Sequence, residues 1–270
     1  VNQLTNWPKH IVTWWDNEVL NISVVFSWQL SYAVKYRDAM LSRGCKIKIG
    51  GPAAKLVGIQ DGDVPALIHH NPYATFTSRG CPNRCQFCAV PKIEGDLVEL
   101  DDWEPKPVVC DNNLLGCSVK HFDSVIDRLK PIKYVDFNQG LDARLLTDHH
   151  IERLRELSTP QLRFAWDNVA TESYVMSAIE RVKKAGFPSG RIHAYVLFGF
   201  KDTPEDALYR FEKLRDLGIK PNPMRYQPLD ALKRNCYVGE HWTKEELKRM
   251  MRYWARQNWF SKIPYSEYVH

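Results

Sequence analysis

The chain has 270 residues, of which 44% are hydrophobic and 26% charged, with 14 glycines and 16 prolines. These fractions exclude collagen-like, low-complexity and largely disordered chains, and no run of ~18 apolar residues reads as a membrane span. The formal net charge of +5 admits an anionic partner without requiring one.

Residues 19–57 read as one β-α-β unit. Val19 to Phe26 is a short apolar, β-branched run suited to a strand covered on both faces. Gln29 to Leu41 follows with helical spacing, Gly44 offers a left-handed stop, and Ile47 and Ile49 lead into Gly50-Gly51-Pro52. From Tyr73 the rhythm becomes regular. Strands are expected at Tyr73–Thr77, Pro107–Cys110, Tyr134–Phe137, Gln161–Trp166, Arg191–Phe198 and Pro223–Gln227, with helices between most of them. Thr147, Thr171 and Thr203 are placed as helix caps, with Pro204 at a first helical position and Gly186 and Gly218 as stops. Strands alternating with helices imply parallel βα units, and six of them suit an open partial barrel better than a closed eight-stranded one. Near the end, Thr243-x-x-Glu246 is a capping box. It opens a helix with Leu247, Met250, Met251 and Trp254 on one face and Lys244, Lys248, Arg252 and Arg256 elsewhere. That helix either packs on the core or offers its basic face, with Trp259 or Phe260, to a nucleic acid.

Seven cysteines, an odd number in a chain whose first residues show no secretory leader pattern, argue against a disulfide scaffold. Metal or redox chemistry in a reducing, cytoplasmic setting is the better expectation. Three of them, Cys81, Cys85 and Cys88, are spaced C-x3-C-x2-C directly after the first strand of the regular series. Three thiolates on a short loop can hold three irons of a [4Fe–4S] cluster, which otherwise takes four cysteines, and leave one iron open to an external ligand. Cys110, Cys117 and Cys236 match no second cluster pattern, and free cysteine is commonly a small buried hydrophobe. The pairs His69-His70 and His149-His150 cannot chelate from one helix face and read as surface or capping residues.

The words Arg79-Gly80-Cys81-Pro82-Asn83-Arg84-Cys85-Gln86-Phe87-Cys88-Ala89-Val90-Pro91 resemble the signature of the radical S-adenosylmethionine (radical SAM) superfamily. Their wording is most similar to the branch containing methylthiotransferases and cobalamin-linked enzymes. The resemblance covers roughly residues 73–235 and implies an α/β fold, a partial (βα)6 barrel. It also implies a [4Fe–4S] cluster on Cys81, Cys85 and Cys88 and S-adenosylmethionine bound at the open iron. Reductive cleavage would then give a 5′-deoxyadenosyl radical that takes hydrogen from a substrate. The boundaries implied are an N-terminal extension over 1–70, the barrel over 71–235 and a helical extension over 236–270. Asn21 to Trp28 with Gly50-Gly51-Pro52-Ala53 is similar to part of the cobalamin domain of related enzymes, without its Asp-x-His-x-x-Gly motif. It reads as a shortened remnant extending the barrel sheet.

Further residues follow from the same resemblance. Phe87 lies beside the cluster. Asp111, Asn112 and Asn113 would meet the methionine end of the cofactor, although the family's usual Gly-Gly-Glu is absent. Arg144 could neutralise its carboxylate, with Asn138 and Gln139 as neutral partners. Asp167 and Asn168 could meet ribose or substrate, and Gly199 ends the strand near the adenine. Polar residues at strand C-termini are where α/β barrels keep ligands, and they are also common caps and turn residues. Arg225, charged within a strand, would bind a substrate carboxylate or phosphate, or else pair with Asp142 or Asp167. A low-potential electron donor such as a flavodoxin or ferredoxin is the expected partner. The substrate stays open between a nucleic-acid base and a small molecule or peptide, and a non-enzymatic iron–sulfur or zinc protein is the alternative class.

Overall fold

Lys46-Ile47-Lys48-Ile49 alternates charge with apolar bulk, the period of a half-covered strand, and the computed structural model carries it as one. The structure describes residues 4, 6–62, 66–256 and 262–269. Trp259 and Phe260 lie outside them.

In chain order the elements are β1 (Val12–Asp16), β2 (Val19–Ser23), α1 (Leu30–Leu41), β3 (Lys46–Gly50), α2 (Pro52–Leu56) and α3 (Leu67–His70). Then come β4 (Ala74–Thr75), β5 (Ser78–Arg79), α4 (Val90–Ile93), β6 (Val98–Glu99), β7 (Val108–Val109), α5 (Val119–Leu129) and β8 (Val135–Phe137). The remainder are α6 (Asp148–Leu154), β9 (Pro160–Ala165), α7 (Glu172–Lys184), β10 (Ile192–Phe198), α8 (Pro204–Asp216), β11 (Lys220–Arg225) and α9 (Lys244–Ala255). No helix among the described residues is long and apolar enough to cross a membrane.

β2 and β3 run parallel around α1, as the sequence suggests. The unit does not extend the large sheet, however. It forms its own three-stranded sheet in the order β1-β2-β3. The reason is β1, which the sequence reading misses: it turns through Asn17 at φ +51° and occupies the free edge of β2 antiparallel. Leu20, Ile22, Val24, Leu30, Ala33, Ile49, Ala53 and Ala54 then close a separate small core.

The large sheet has the order β11-β10-β9-β8-β7-β4, and every pairing is parallel. Each strand therefore lies beside the next in the series, which brings all their C-terminal ends to one edge. This is a mixed α/β fold with an open parallel sheet. Thr147, Thr203 and Thr243 each form the reciprocal capping box with the residue three on. Thr171 does not cap α7. Its hydroxyl donates back to the Asn168 carbonyl at 2.9 Å, because a 3-10 turn over Val169–Thr171 precedes the helix. The last strand also starts earlier than expected, at Lys220 rather than Pro223, since the ladder to β10 admits two prolines on an edge strand. On α9, Tyr253 is buried with Leu247, Met250 and Trp254, while Met251 is only half-buried.

β10 alternates cleanly. Ile192, Ala194, Val196 and Phe198 are buried, with Phe198 edge-on to Phe211 of α8, whereas His193, Tyr195 and Leu197 take the other face half-buried. That second face is polar. Arg163 pairs twice with the fully buried Asp136, both contacts at 2.6 Å, and its guanidinium lies 3.4 Å from His193 Nδ1. Burial, then the charges of Arg163, Lys220 and Arg191, hold the His193 imidazole down to about 3. An unfolded histidine titrates near ~6.5, so the unfolded chain takes up a proton that the folded chain refuses. Stability drawn from this site is present in full above that value and is lost as the pH falls towards 3. His193→Gln should therefore flatten the pH dependence of urea unfolding between about pH 6 and 4 by up to one proton. An unchanged slope would show that the imidazole is not held neutral.

Candidate active site

The cysteine loop begins where β5 ends. β5 and β6 pair antiparallel, Ser78 opposite Glu99 and Arg79 opposite Val98, so the segment between them must double back on itself. Gly80 makes this possible: its φ is +73°, and a Cβ there would lie 2.0 Å from the Asp96 carbonyl oxygen. Backbone, not a flexible side chain, would be struck. Gly80→Ala is thus expected to deform the loop and to lower iron uptake several-fold in anaerobic reconstitution, with the bulk fold kept in circular dichroism. Glu94 braces the same turn, accepting from the Gly80 amide at 2.9 Å, from Arg79 at 2.7 Å and from Asn112 Nδ2 at 2.7 Å.

Within the loop Cys81 is buried, while Cys85 and Cys88 are half-buried. The Asn83 amide and Asn113 Nδ2 approach Cys81 Sγ at 3.4 and 3.7 Å. Burial pushes the Cys85 and Cys88 thiols up; the Arg144 guanidinium pulls Cys85 back while Asp167 and Cys81 raise it, and Cys85 and Cys81 raise Cys88. The three sulfurs therefore lie within electrostatic reach of one another. Among the described residues no three His, Cys, Asp or Glu side chains converge to hold a single metal ion. An iron–sulfur cluster asks for something else, soft thiolates distributed over separate irons, and the donor set fits that requirement.

Asn113 follows β7, Asp142 follows β8, Asp167 follows β9 and Gly199 follows β10, so all four stand at the C-terminal edge of the sheet. Arg144 holds Asp142 with two contacts of 2.7 and 2.8 Å, and Asn83 Nδ2 adds a third at 2.8 Å. Burial works against ionisation of Asp142, but these donors outweigh it and its carboxyl stays below the usual range. The Arg144 guanidinium also acts on Cys85 and Asp167. Burial lifts Asp167 to about 6, against the pull of Arg210 and Arg144. Cys81, Cys85, Cys88, Asn113, Arg144 and Asp167 thus share one neighbourhood.

The other expected site residues make contacts of their own. The buried Asp111 carboxylate accepts from the Thr77 amide at 2.6 Å, the Thr77 hydroxyl and the Ser78 amide at 3.1 Å, bracing β5. Asn138 is half-buried, its carbonyl accepting from the Tyr195 hydroxyl at 2.6 Å, and Gln139 and Asn168 are exposed. Gly199 has φ +81°, and a Cβ there would meet Leu247 Cδ2 at 2.7 Å, so α9 lies directly over this turn. Phe87 sits edge-on to Phe200, ring centres 5.8 Å apart. Arg225 pairs with neither Asp142 nor Asp167. Asp142 is taken by Arg144, two residues away, and Arg225 donates to the Asn235 and Tyr237 carbonyls at 3.0 and 2.9 Å. Cys110 is a buried thiol pushed up to about 12, Cys117 lies near Ser78, and Cys236 is exposed. His150 caps α6, and His149 meets Asp123 at 2.8 Å. His70 meets the Ser23 hydroxyl at 2.9 Å, and His69 stacks on Trp14.

Glu94 and Asn83 belong to this site without having been expected there, whereas Phe200 stands in the Phe198-Gly199-Phe200 turn that the family resemblance places near the adenine. Asn83 lies inside the cysteine motif and could have been found there, whereas Glu94 has no local signal. No family model matches the chain, and no curated protein matches it. Among solved structures the chain is similar to Streptococcus suis SuiB bound to S-adenosylmethionine, with a TM-score of 0.46 and 10% identity over 69% of this chain and 44% of that one. The chain thus spans less than half the length of SuiB.

Proposed function

We propose that the chain is a radical SAM enzyme. The observation that carries this reading is the gathering of Cys81, Cys85 and Cys88 with Arg144 and Asp167 at the C-terminal edge of a parallel sheet. In this reading residues 71–235 are the partial (βα)6 barrel, 1–70 an N-terminal extension and 236–270 a helical cover. Cys81, Cys85 and Cys88 would hold a [4Fe–4S] cluster. Such a cluster, held by these three thiolates, would supply the one-electron reduction that cleaves S-adenosylmethionine. The chain's own contribution is electrostatic and steric. Arg144 offers a guanidinium to a carboxylate, and its tie to Asp142 fixes where that guanidinium stands. Asn113 and Asn83 offer N–H donors to the Cys81 sulfur, the kind of contact that tunes a cluster. Phe87 and Phe200 supply an apolar wall beside the loop.

The test is anaerobic reconstitution followed by dithionite and S-adenosylmethionine, with a flavodoxin or ferredoxin as the physiological type of donor. The expected products are 5′-deoxyadenosine and methionine. A fully loaded cluster that yields neither, or a preparation holding one zinc ion, would overturn the reading in favour of a non-enzymatic metal protein.

A further inference from the structure

Two parts of the chain that are far apart in sequence meet at the edge where the cysteine loop lies. α2 of the N-terminal unit packs on α4, which directly follows the cysteine loop. At a second point the Ser27 hydroxyl donates to the Ala231 carbonyl at 2.7 Å, joining the 3-10 turn over Ser27–Gln29, just before α1, to the loop after β11. That loop is held closed at its base. Arg225 grips the Asn235 and Tyr237 carbonyls, and the Gln227 and Asn235 side chains and backbone bond each other at 2.9 and 3.2 Å. Asn235 takes a left-handed φ of +60° to make the return. The loop tip therefore presents Lys233 and Arg234, both exposed, in a fixed position against the N-terminal unit.

What it presents them to is aromatic. Phe26 and Trp28 stack with ring centres 4.6 Å apart and planes within 7°, and Phe26 is 42% exposed although nothing in its own small core requires it there. The Arg234 guanidinium lies 6.0 Å from the Trp28 ring. On the other side of the loop Tyr237 is edge-on to Tyr226 at 5.0 Å, and Tyr226 packs on Phe200 at 4.6 Å, which brings the series back to Phe87. Planar faces beside exposed cations are complementary to planar bases joined to phosphates: the rings stack on bases and the guanidinium and ammonium groups meet the anions.

We propose that this surface, centred on Phe26, Trp28, Tyr226 and Arg234, binds a nucleotide unit, a flat base carrying phosphate. The inference does not depend on cluster chemistry, and its test reads binding rather than turnover. A fluorescein-labelled (dT)12 strand is titrated with the anaerobically reconstituted protein at several salt concentrations, and unlabelled AMP is added as competitor. Saturable binding is expected. F26A/R234E should weaken it at least tenfold, and R234E alone should lower the slope of log affinity on log salt by about one. Tyr32→Ala, an exposed aromatic on α1 outside this surface, should leave it unchanged. AMP that competes at micromolar to millimolar levels identifies a free nucleotide as the source. A strand that binds while AMP does not identifies single-stranded nucleic acid. No saturable binding of either probe, or equal affinity in F26A/R234E and wild type, would overturn the proposal. Loss of binding with 5′-deoxyadenosine formation intact would defeat this inference alone, and the converse would defeat only the cluster reading.

Discussion

Cys85→Ser protein, reconstituted anaerobically, is expected to lose the iron–sulfur absorbance of the wild type and to form no measurable 5′-deoxyadenosine. The thiol sits in the middle of the loop triad, within reach of Cys81, Arg144 and Asp167, and a serine hydroxyl is a far poorer ligand for iron. On the proposed reading the loss should exceed the ~10–100-fold that removing an outer-shell partner costs, because a ligand itself would be gone. Cys236→Ser supplies the comparison. That cysteine is exposed, on the loop after β11, and its thiol donates to the Arg234 carbonyl at 3.7 Å. It should retain both iron and product. Iron content that survives in Cys85→Ser but falls in Cys236→Ser would place the metal elsewhere in the chain.

The sequence shows most where physical chemistry is local. Thr147, Thr203 and Thr243 could be read as caps because a hydroxyl three residues before a matching acceptor closes its own ring of contacts. The six parallel strands were likewise legible as apolar runs separated by helices, and the cysteine spacing needs no partner from afar. What escaped is what depends on contacts across the chain. β1 is a half-exposed hairpin arm held by the open edge of β2 and by His69 stacking on Trp14. Thr171 looks like a cap until the 3-10 turn before it claims its hydroxyl. Arg225 was expected to seek a carboxylate, yet Arg144 is two residues from Asp142 and wins it at lower entropic cost. Glu94 holds the cysteine loop from fourteen residues beyond Gly80, a distance at which no spacing rule applies.

The largest stability effect is expected at Asp202. Arg210, fully buried in α8, donates to the Trp166 carbonyl at 2.7 Å and the Leu197 carbonyl at 2.8 Å, and pairs with the Asp202 carboxylate. It thereby ties the ends of β9 and β10 to the helix above them. Asp202 in turn accepts from the Gly199 and Phe200 amides at 2.9 and 3.2 Å, the turn that carries Phe200 towards Phe87. Asp202→Ala would leave a buried guanidinium without the carboxylate it is hydrogen-bonded to, with only the more distant Asp167 and Asp206 charges acting on it, which costs up to about 3–5 kcal/mol, a large share of the ~5–15 kcal/mol that holds a typical domain folded. Asp202→Asn should cost less, since the amide oxygen can still accept from Gly199. The combination Asp202→Ala with Arg210→Met should recover part of the loss but not all of it. Removing both charges relieves the unpaired guanidinium, but the Trp166 and Leu197 carbonyls then lose their donor, at about 1–3 kcal/mol for each group left unsatisfied. Urea unfolding of the three variants separates the two terms. Full recovery in the double variant would mean that Arg210 serves only its ion pair, and no recovery would mean that the strand carbonyls, not Asp202, are what it is there to hold.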